Sequence, residues 1–290
     1  MDHRVPHILL ALLLVCSLAA CAGPVNLPVV TPDAGQLSYP GKFVWFDLYA
    51  PDIDAVAQFY DRVFGWSVER ADPDSSKVKT ILQQNRRIGS IFLIGPDSAA
   101  PTAEPGWVAC LSVGDVDAAF AQAIKAGATS ISPPAEHPFR GRMAEILDPQ
   151  GARVRLLTSS TGDPRDQAPE DGMFLGAELW TPDPAAAKFY ASLAGYKSVV
   201  LELQTGPYVM LLTRNRPRGG VTAPLADVPG PVWIPQVAVR DAVAVLRRVE
   251  TYGGTVLLRP DPEDKTGRVG VFVDPAGGVI GVREFTPVEN

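Results

Sequence analysis

The stretch FVWFDLYA, beginning at Phe43, alternates along the chain. Val44, Phe46 and Leu48 fall on one side, and Trp45, Asp47 and Tyr49 on the other, which predicts a β-strand. Pro51-Asp52 stops it, and Asp52 or Asp54 can cap a helix in which Val56, Phe59, Tyr60, Val63 and Phe64 recur at helical spacing. Gly65 ends that helix, and three strand-like runs follow: WSVERAD, KVKTILQ and IGSIFLI. The order then restarts. WVACLSV predicts a strand, Val116 to Ala126 a helix ended by Gly127, and further strands run through Leu157. The pattern is a βαβββ unit written twice.

The same plan returns later in the chain. GRMAEILDPQGARVRLL from Gly141 reappears as GRVGVFVDPAGGVIGV from Gly267, 126 residues on (267 − 141). Each copy reads as strand, tight turn, strand. Proline fixes φ in Asp148-Pro149 and Asp274-Pro275, aspartate can bond its own backbone, and Gly151 and Gly277 tolerate positive φ. A polar stretch at 159–172, rich in proline and glycine, reads as a linker. Beyond it FLGAELWT predicts a strand stopped by Pro182-Asp183, and Ala185 to Leu193 a helix whose Phe189-Tyr190 matches Phe59-Tyr60. PYVMLL and VWIPQVAV predict strands, and a last helix spans about Asp241 to Tyr252. The chain is therefore a duplication. Its 290 residues suffice for two domains, and 46% apolar content lets each bury a core.

The N-terminus departs from this pattern. Arg4 precedes an apolar run, Ile8 to Val15, that is too short to span a bilayer but suits a signal peptide. Leu18-Ala19-Ala20-Cys21 resembles the bacterial lipobox, and the resemblance implies that Cys21 is diacylated and becomes the mature N-terminus. That places the protein in a bacterial cell envelope, held at the membrane by lipid and facing the periplasm or the exterior. Residues 22–40 read as a flexible tether. Cys110 is then the one cysteine left without an assignment, and it reads as a buried small hydrophobe. Net charge is −6 and no basic stripe is visible, which argues against nucleic acid as a partner.

The ordered set, strand, P-D, helix with F-Y, G-[WY] and a late D-P-x-G hairpin, occurs twice and resembles the vicinal oxygen chelate superfamily. That group includes glyoxalase I, bleomycin- and fosfomycin-resistance proteins and extradiol dioxygenases. The resemblance covers residues 42–286 and implies an α+β fold of two tandem domains, at 41–158 and 173–287. Each domain would be a pair of βαβββ units forming a curled mixed sheet around a concave cavity, with the helices outside. In metal-using members, His and Glu on the central strands hold a divalent ion that polarises substrate oxygens. Carried over one by one, those positions fall on Trp45, Val108 and Arg155 in the first domain and on Gly176, Ile234 and Gly281 in the second. The fourth-strand runs IGSIFLI and RGGVTA offer no carboxylate. No metal and no cofactor are expected. His137, in PPAEHPF, reads as a loop residue, and Arg218-Gly219-Gly220 as a turn.

By strand parity the concave faces carry Trp45, Asp47, Tyr49, Arg153 and Arg155 in the first domain, and Glu178, Trp180, Gln236 and Arg283 in the second. Rings with a few charges suit a small amphiphilic or aromatic ligand. The competing expectation is that Asp47 pairs with Arg155 and the cavity is partly filled. Trp107 and Trp233 have the opposite parity and belong to the core. Three functions remain open: a metal-free small-molecule-binding lipoprotein, an enzyme of the lyase, isomerase or dioxygenase kind with a rearranged site, and an envelope interaction module.

Overall fold

A computed structural model describes residues 26–32, 35–72, 75–96, 98, 103–203, 205–263 and 268–286. The signal segment and Cys21 lie outside these residues. The first domain runs β1 (Phe43–Ala50), α1 (Ile53–Phe64), β2 (Ser67–Asp72), β3 (Ser75–Gln83), β4 (Arg86–Leu93), β5 (Gly106–Ser112), α2 (Val116–Lys125), β6 (Thr129–His137), β7 (Gly141–Leu147) and β8 (Arg153–Ser159). The second repeats it as β9 (Phe174–Trp180), α3 (Ala186–Ala194), β10 (Lys197–Leu203), β11 (Gly206–Thr213), β12 (Arg216–Thr222), β13 (Val232–Val239), α4 (Ala242–Thr251), β14 (Thr255–Leu258), β15 (Val269–Val273) and β16 (Val279–Glu284).

Each domain is one open, mixed sheet of eight strands. The orders β2-β3-β4-β1-β5-β8-β7-β6 and β10-β11-β12-β9-β13-β16-β15-β14 are the same plan. Within each βαβββ unit the first and last strands pair in parallel, as β1 with β4 and β5 with β8. The two units of a domain meet antiparallel through β1 and β5, or β9 and β13.

Local chemistry explains the elements. The Asp52 carboxylate accepts the N–H groups of Asp54 and Ala55 at 3.0 and 2.9 Å and starts α1, while Gly65 ends it at φ 73°. Both D-P-x-G turns form as expected: Asp148 Oδ1 accepts from the amides of Gln150 and Ala152, and Asp274 Oδ1 from those of Ala276 and Gly278. Two segments differ from expectation. His137 closes strand β6 rather than sitting in a loop, and Arg218–Gly220 lies inside β12 rather than in a turn. At Gly220 a side chain would overlap the ring of Tyr208, so close packing within the sheet selects that glycine, not turn geometry.

The helices lie outside each curled sheet, and α1 packs against α4 and α2 against α3 across the two domains. One apolar core therefore serves both halves. Phe46 stacks on Phe174 at 4.0 Å between ring centroids, and Phe43 meets Trp233 at 4.7 Å. Two reciprocal latches tie the halves together. The Tyr60 hydroxyl, on α1, donates to Asp274 at 2.7 Å and accepts from the Trp107 indole at 2.9 Å. The Tyr190 hydroxyl, on α3, donates to Asp148 at 2.9 Å and accepts from Trp233 at 2.7 Å. Each repeat's turn aspartate is thus satisfied by the other repeat's helix. Burial raises the Asp274 carboxyl against the pull of these donors.

The segment before β1 packs on the first domain, which corrects the tether expected there for the part that is described. Leu27 and Val30 are buried among the concave side chains. The Leu37 carbonyl accepts from the Asp163 amide at 2.7 Å, and the Tyr39 amide donates to the Asp163 carboxylate at 2.6 Å. The linker 159–172 is likewise held, for Asp163 also accepts from Ser112 at 2.6 Å.

Candidate functional site

On the first concave face, alternation along β1 places Trp45, Asp47 and Tyr49 together, and β8 brings Arg155 beside them. Arg155 bonds the Asp47 and Glu145 carboxylates, and its Nη2 donates to the Tyr49 hydroxyl at 2.7 Å. Arg153 joins the far side of Glu145. The Trp45 indole donates to Asp47 at 3.0 Å and Ser90 at 3.1 Å. Arg140 lies over the Trp45 ring at 4.4 Å, its Nη1 3.6 Å from Asp47, while its Nε donates to the Pro28 carbonyl at 2.7 Å. Burial alone would lower the Arg155 guanidinium, but Tyr49, Glu145 and Asp47 outweigh it and raise it well above its usual value. Burial likewise favours the neutral form of Glu145, and Arg155 with Arg153 reverses that, so the carboxyl is lowered. Burial pushes the Cys110 thiol up to about 12, which leaves it inert. His137 stands half-buried nearby, and burial with Arg155 and Arg140 lowers its imidazole.

The side chains of this face are buried against one another. Trp45, Val78, Phe92, Val108, Cys110 and Leu157 close on one another, and Leu27 and Val30 cover them. Sequence reasoning missed Arg140, Glu145 and Ser90, while Cys110 is the buried small residue expected of it. Glu145 was accessible, because it shares period-two parity with Met143 along GRMAEIL. Arg140 lies just before β7 and carries no periodic signal.

The second concave face has the same backbone and a different floor. Across the three central strands the first domain pairs Trp45 with Cys110 and Cys110 with Arg155. The equivalent row in the second is Gly176, Gln236 and Gly281. Phe92, opposite Tyr49, becomes Thr222, opposite Trp180. Lost bulk leaves a cavity of 1330 Å³, lined by Glu178, Tyr208, Met210, Gln236 and Arg283, by the linker Pro164–Glu170, and by Arg86 and Ile88 of the first domain. Glu178 is buried at its base. It accepts from Arg283 at 2.6 Å, Tyr208 at 3.1 Å and, weakly, Gln236 at 3.4 Å. Burial, then Glu178, raises the Tyr208 phenol, so it stays a donor. Gln236 Oε1 and Trp180 Nε1 are buried with no hydrogen-bond partner. Of the four sequence-identified residues, Glu178, Gln236 and Arg283 line the cavity. Trp180 does not, because Leu225, Ala226 and Val228 pack over it with Ile234.

The fold and this tandem arrangement agree with the comparisons to known proteins. Residues 42–156, which span the first domain, match the model of the Glyoxalase/Bleomycin resistance protein/Dioxygenase superfamily. It is 29% identical over 247 residues to CFP32 of Mycobacterium tuberculosis, described as a candidate glyoxylase, covering 84% of this chain and 94% of that one. It is 27% identical over 265 residues to the anthracycline biosynthesis protein DnrV of Streptomyces peucetius, covering 86% and 96%. Among solved structures, the Mn(II)-bound glyoxalase from Novosphingobium aromaticivorans aligns with a TM-score of 0.59 at 18% identity, over 86% of this chain and 83% of that one. The 2,3-dioxygenase LapB from Pseudomonas sp. KL28 aligns at 0.56 with 14% identity, over 88% and 95%. Both structural likenesses speak for the fold.

Proposed function

We propose that the protein binds a small molecule in the cavity of its second domain, without the metal ion used by relatives of this fold, and that it does so at the cell envelope, held by lipid on Cys21. The observation that carries the reading is the Gly176–Gln236–Gly281 row. It opens one concave face where Trp45, Cys110 and Arg155 close the other.

The donor chemistry supports the metal-free part. Trp45, Val108, Gly176, Ile234 and Gly281 have no side-chain atom that binds a divalent cation, and Arg155 brings a positive charge to the sixth position. Among the described residues no three His, Cys, Asp or Glu side chains gather at one point. The residues present therefore do not fit the ion. Glu178, Gln236, Tyr208 and Arg283 instead offer acceptors and donors under an apolar wall, the composition of a site that orients a ligand by a few polar contacts.

Two measurements test this reading. Elemental analysis of the purified chain, with a thermal-shift screen against manganese, iron, nickel and zinc, should find no stoichiometric metal and no stabilisation. About one tightly bound ion per domain, lost together with an activity, would replace the binding protein with an enzyme. Fractionation of cells should find the wild type in membranes and Cys21→Ser unprocessed or soluble, since two acyl chains hold stably where one does not. A wild type wholly in the soluble extracellular fraction contradicts the anchor.

A further inference from the structure

The wall of the second-domain cavity carries an imbalance of charge. Asp166, in the linker, accepts from Arg218 Nη1 and Nη2 at 2.5 and 3.0 Å. Lys42 Nζ lies 3.2 Å away and Arg216 Nε 3.6 Å. Three cations thus share one carboxylate. Arg218's hydrogen bonds, with Lys42 behind them and against burial, hold the Asp166 carboxyl down at about 2. A fourth cation, Arg214, stands over the Tyr39 ring at 5.3 Å, and Lys42 and Arg218 approach the same ring at 5.6 and 5.9 Å. The other acid nearby, Asp163, is engaged by the Tyr39 amide and the Ser112 hydroxyl. Around the whole cavity, eight Lys and Arg side chains face five Asp and Glu, an excess of three (8 − 5), in a chain whose net charge is −6.

These cations differ in what they can still do. Lys42 spends its donors on the carbonyls of Pro164 and Arg165 and on Asp166. Arg218 is almost fully buried and points at Asp166 and Thr213. The Arg216 side chain is 63% exposed and, among the described residues, makes only the long contact to Asp166. Leu203, Met210 and Leu258 line the same cavity with apolar surface. A positive rim beside an apolar wall is complementary to a molecule with a charged head and an oily body, because the head keeps a charged partner while the body leaves water.

We propose that this cavity takes an anionic amphiphile, with a carboxylate, sulfonate or phosphate head held by Arg216 in the field of Lys42 and Arg218 and an apolar body against Met210 and Leu258. The proposal rests on the cavity-binding reading above and narrows it to a ligand class.

A matched pair of fluorescent probes tests it on the purified chain. 1-Anilinonaphthalene-8-sulfonate and N-phenyl-1-naphthylamine share one aromatic body, and only the first carries an anion. The sulfonate should bind roughly tenfold tighter, the size of one good charge-assisted contact. Arg216→Gln should weaken the sulfonate by a similar factor and leave the neutral probe unchanged, while Met210→Trp should weaken both. If the neutral probe binds and responds to Met210→Trp, but the sulfonate binds no better or ignores Arg216→Gln, the charge assignment is wrong and the cavity reading stands. If neither probe binds, or Met210→Trp leaves the neutral one untouched, the cavity reading fails and this proposal fails with it.

Discussion

The two domains share one strand order and one pair of latches, yet their concave faces have gone opposite ways. In the first, Arg155 stands between Asp47 and Glu145, Trp45 covers Asp47, and Leu27 and Val30 close the face. In the second, glycines replace Trp45 and Arg155, Val271 stands where Glu145 does, and Glu178 keeps one arginine, Arg283, beside an open cavity. On the convex sides the halves pack on each other in one shared core. A duplicated fold can give one copy to stability and the other to binding when the difference is confined to side chains facing away from the shared core.

The largest expected effect comes from breaking the first domain's network. Arg155→Met takes the shared partner from two buried carboxylates, leaving Asp47 with Trp45 and Arg140 and Glu145 with Arg153, and should cost about 3 kcal/mol in urea denaturation. Arg283→Met removes the matching arginine from a half-open site and should cost about 1 kcal/mol or less. Equal losses would erase the distinction between the faces.

The latches sharpen the comparison from the other side, since here the halves are alike. Tyr60→Phe and Tyr190→Phe each leave a buried aspartate short of one donor and a tryptophan indole without its acceptor. Each should lower stability by about 1 to 3 kcal/mol, and by similar amounts. One costly and one neutral substitution would show that the shared core does not couple the halves symmetrically.

Converting one face into the other is a smaller but more specific change. Gly281→Arg would run into the Gln236 amide, so the useful variant is Gln236→Cys with Gly281→Arg, which restores two of the three residues of the first domain's row and places an arginine near Glu178. Binding of N-phenyl-1-naphthylamine should weaken tenfold or more, with the fold kept.

The least effect is the pH dependence. Glu145 is lowered below its ordinary value of 4.5 in the folded chain. Its contribution is therefore full above that value and is lost as the pH falls through the lower folded value. Urea midpoints measured downward from pH 4.5 should fall for the wild type and fall less steeply for Glu145→Gln.

Much of this architecture was legible in the chain. Period-two alternation, Asp52 and Gly65 at the ends of α1, and the twice-written D-P-x-G turn gave the strands, a helix and the duplication. Parity also brought Asp47 to Arg155. It failed at the start of β1, where a shift in register between Phe43 and Trp45 sends Val44 to the concave side and Phe43 into the core. Parity names a face but not what covers it. The Leu225–Val228 stretch hides Trp180, and residues 26–30 plug the first domain, because both coverings come from segments without period. Trp107 and Trp233 are core residues as their parity indicated, but their hydrogen bonds to Tyr60 and Tyr190 depend on contacts between elements far apart in sequence.

The central claim is that one face is filled and the other open, and the stoichiometry of probe binding tests it most directly. Titration of the purified chain with N-phenyl-1-naphthylamine should saturate at one probe per chain, and the Gln236→Cys, Gly281→Arg variant should weaken that site tenfold or more. Two equivalent sites per chain, or one site whose affinity this variant leaves unchanged, would contradict it.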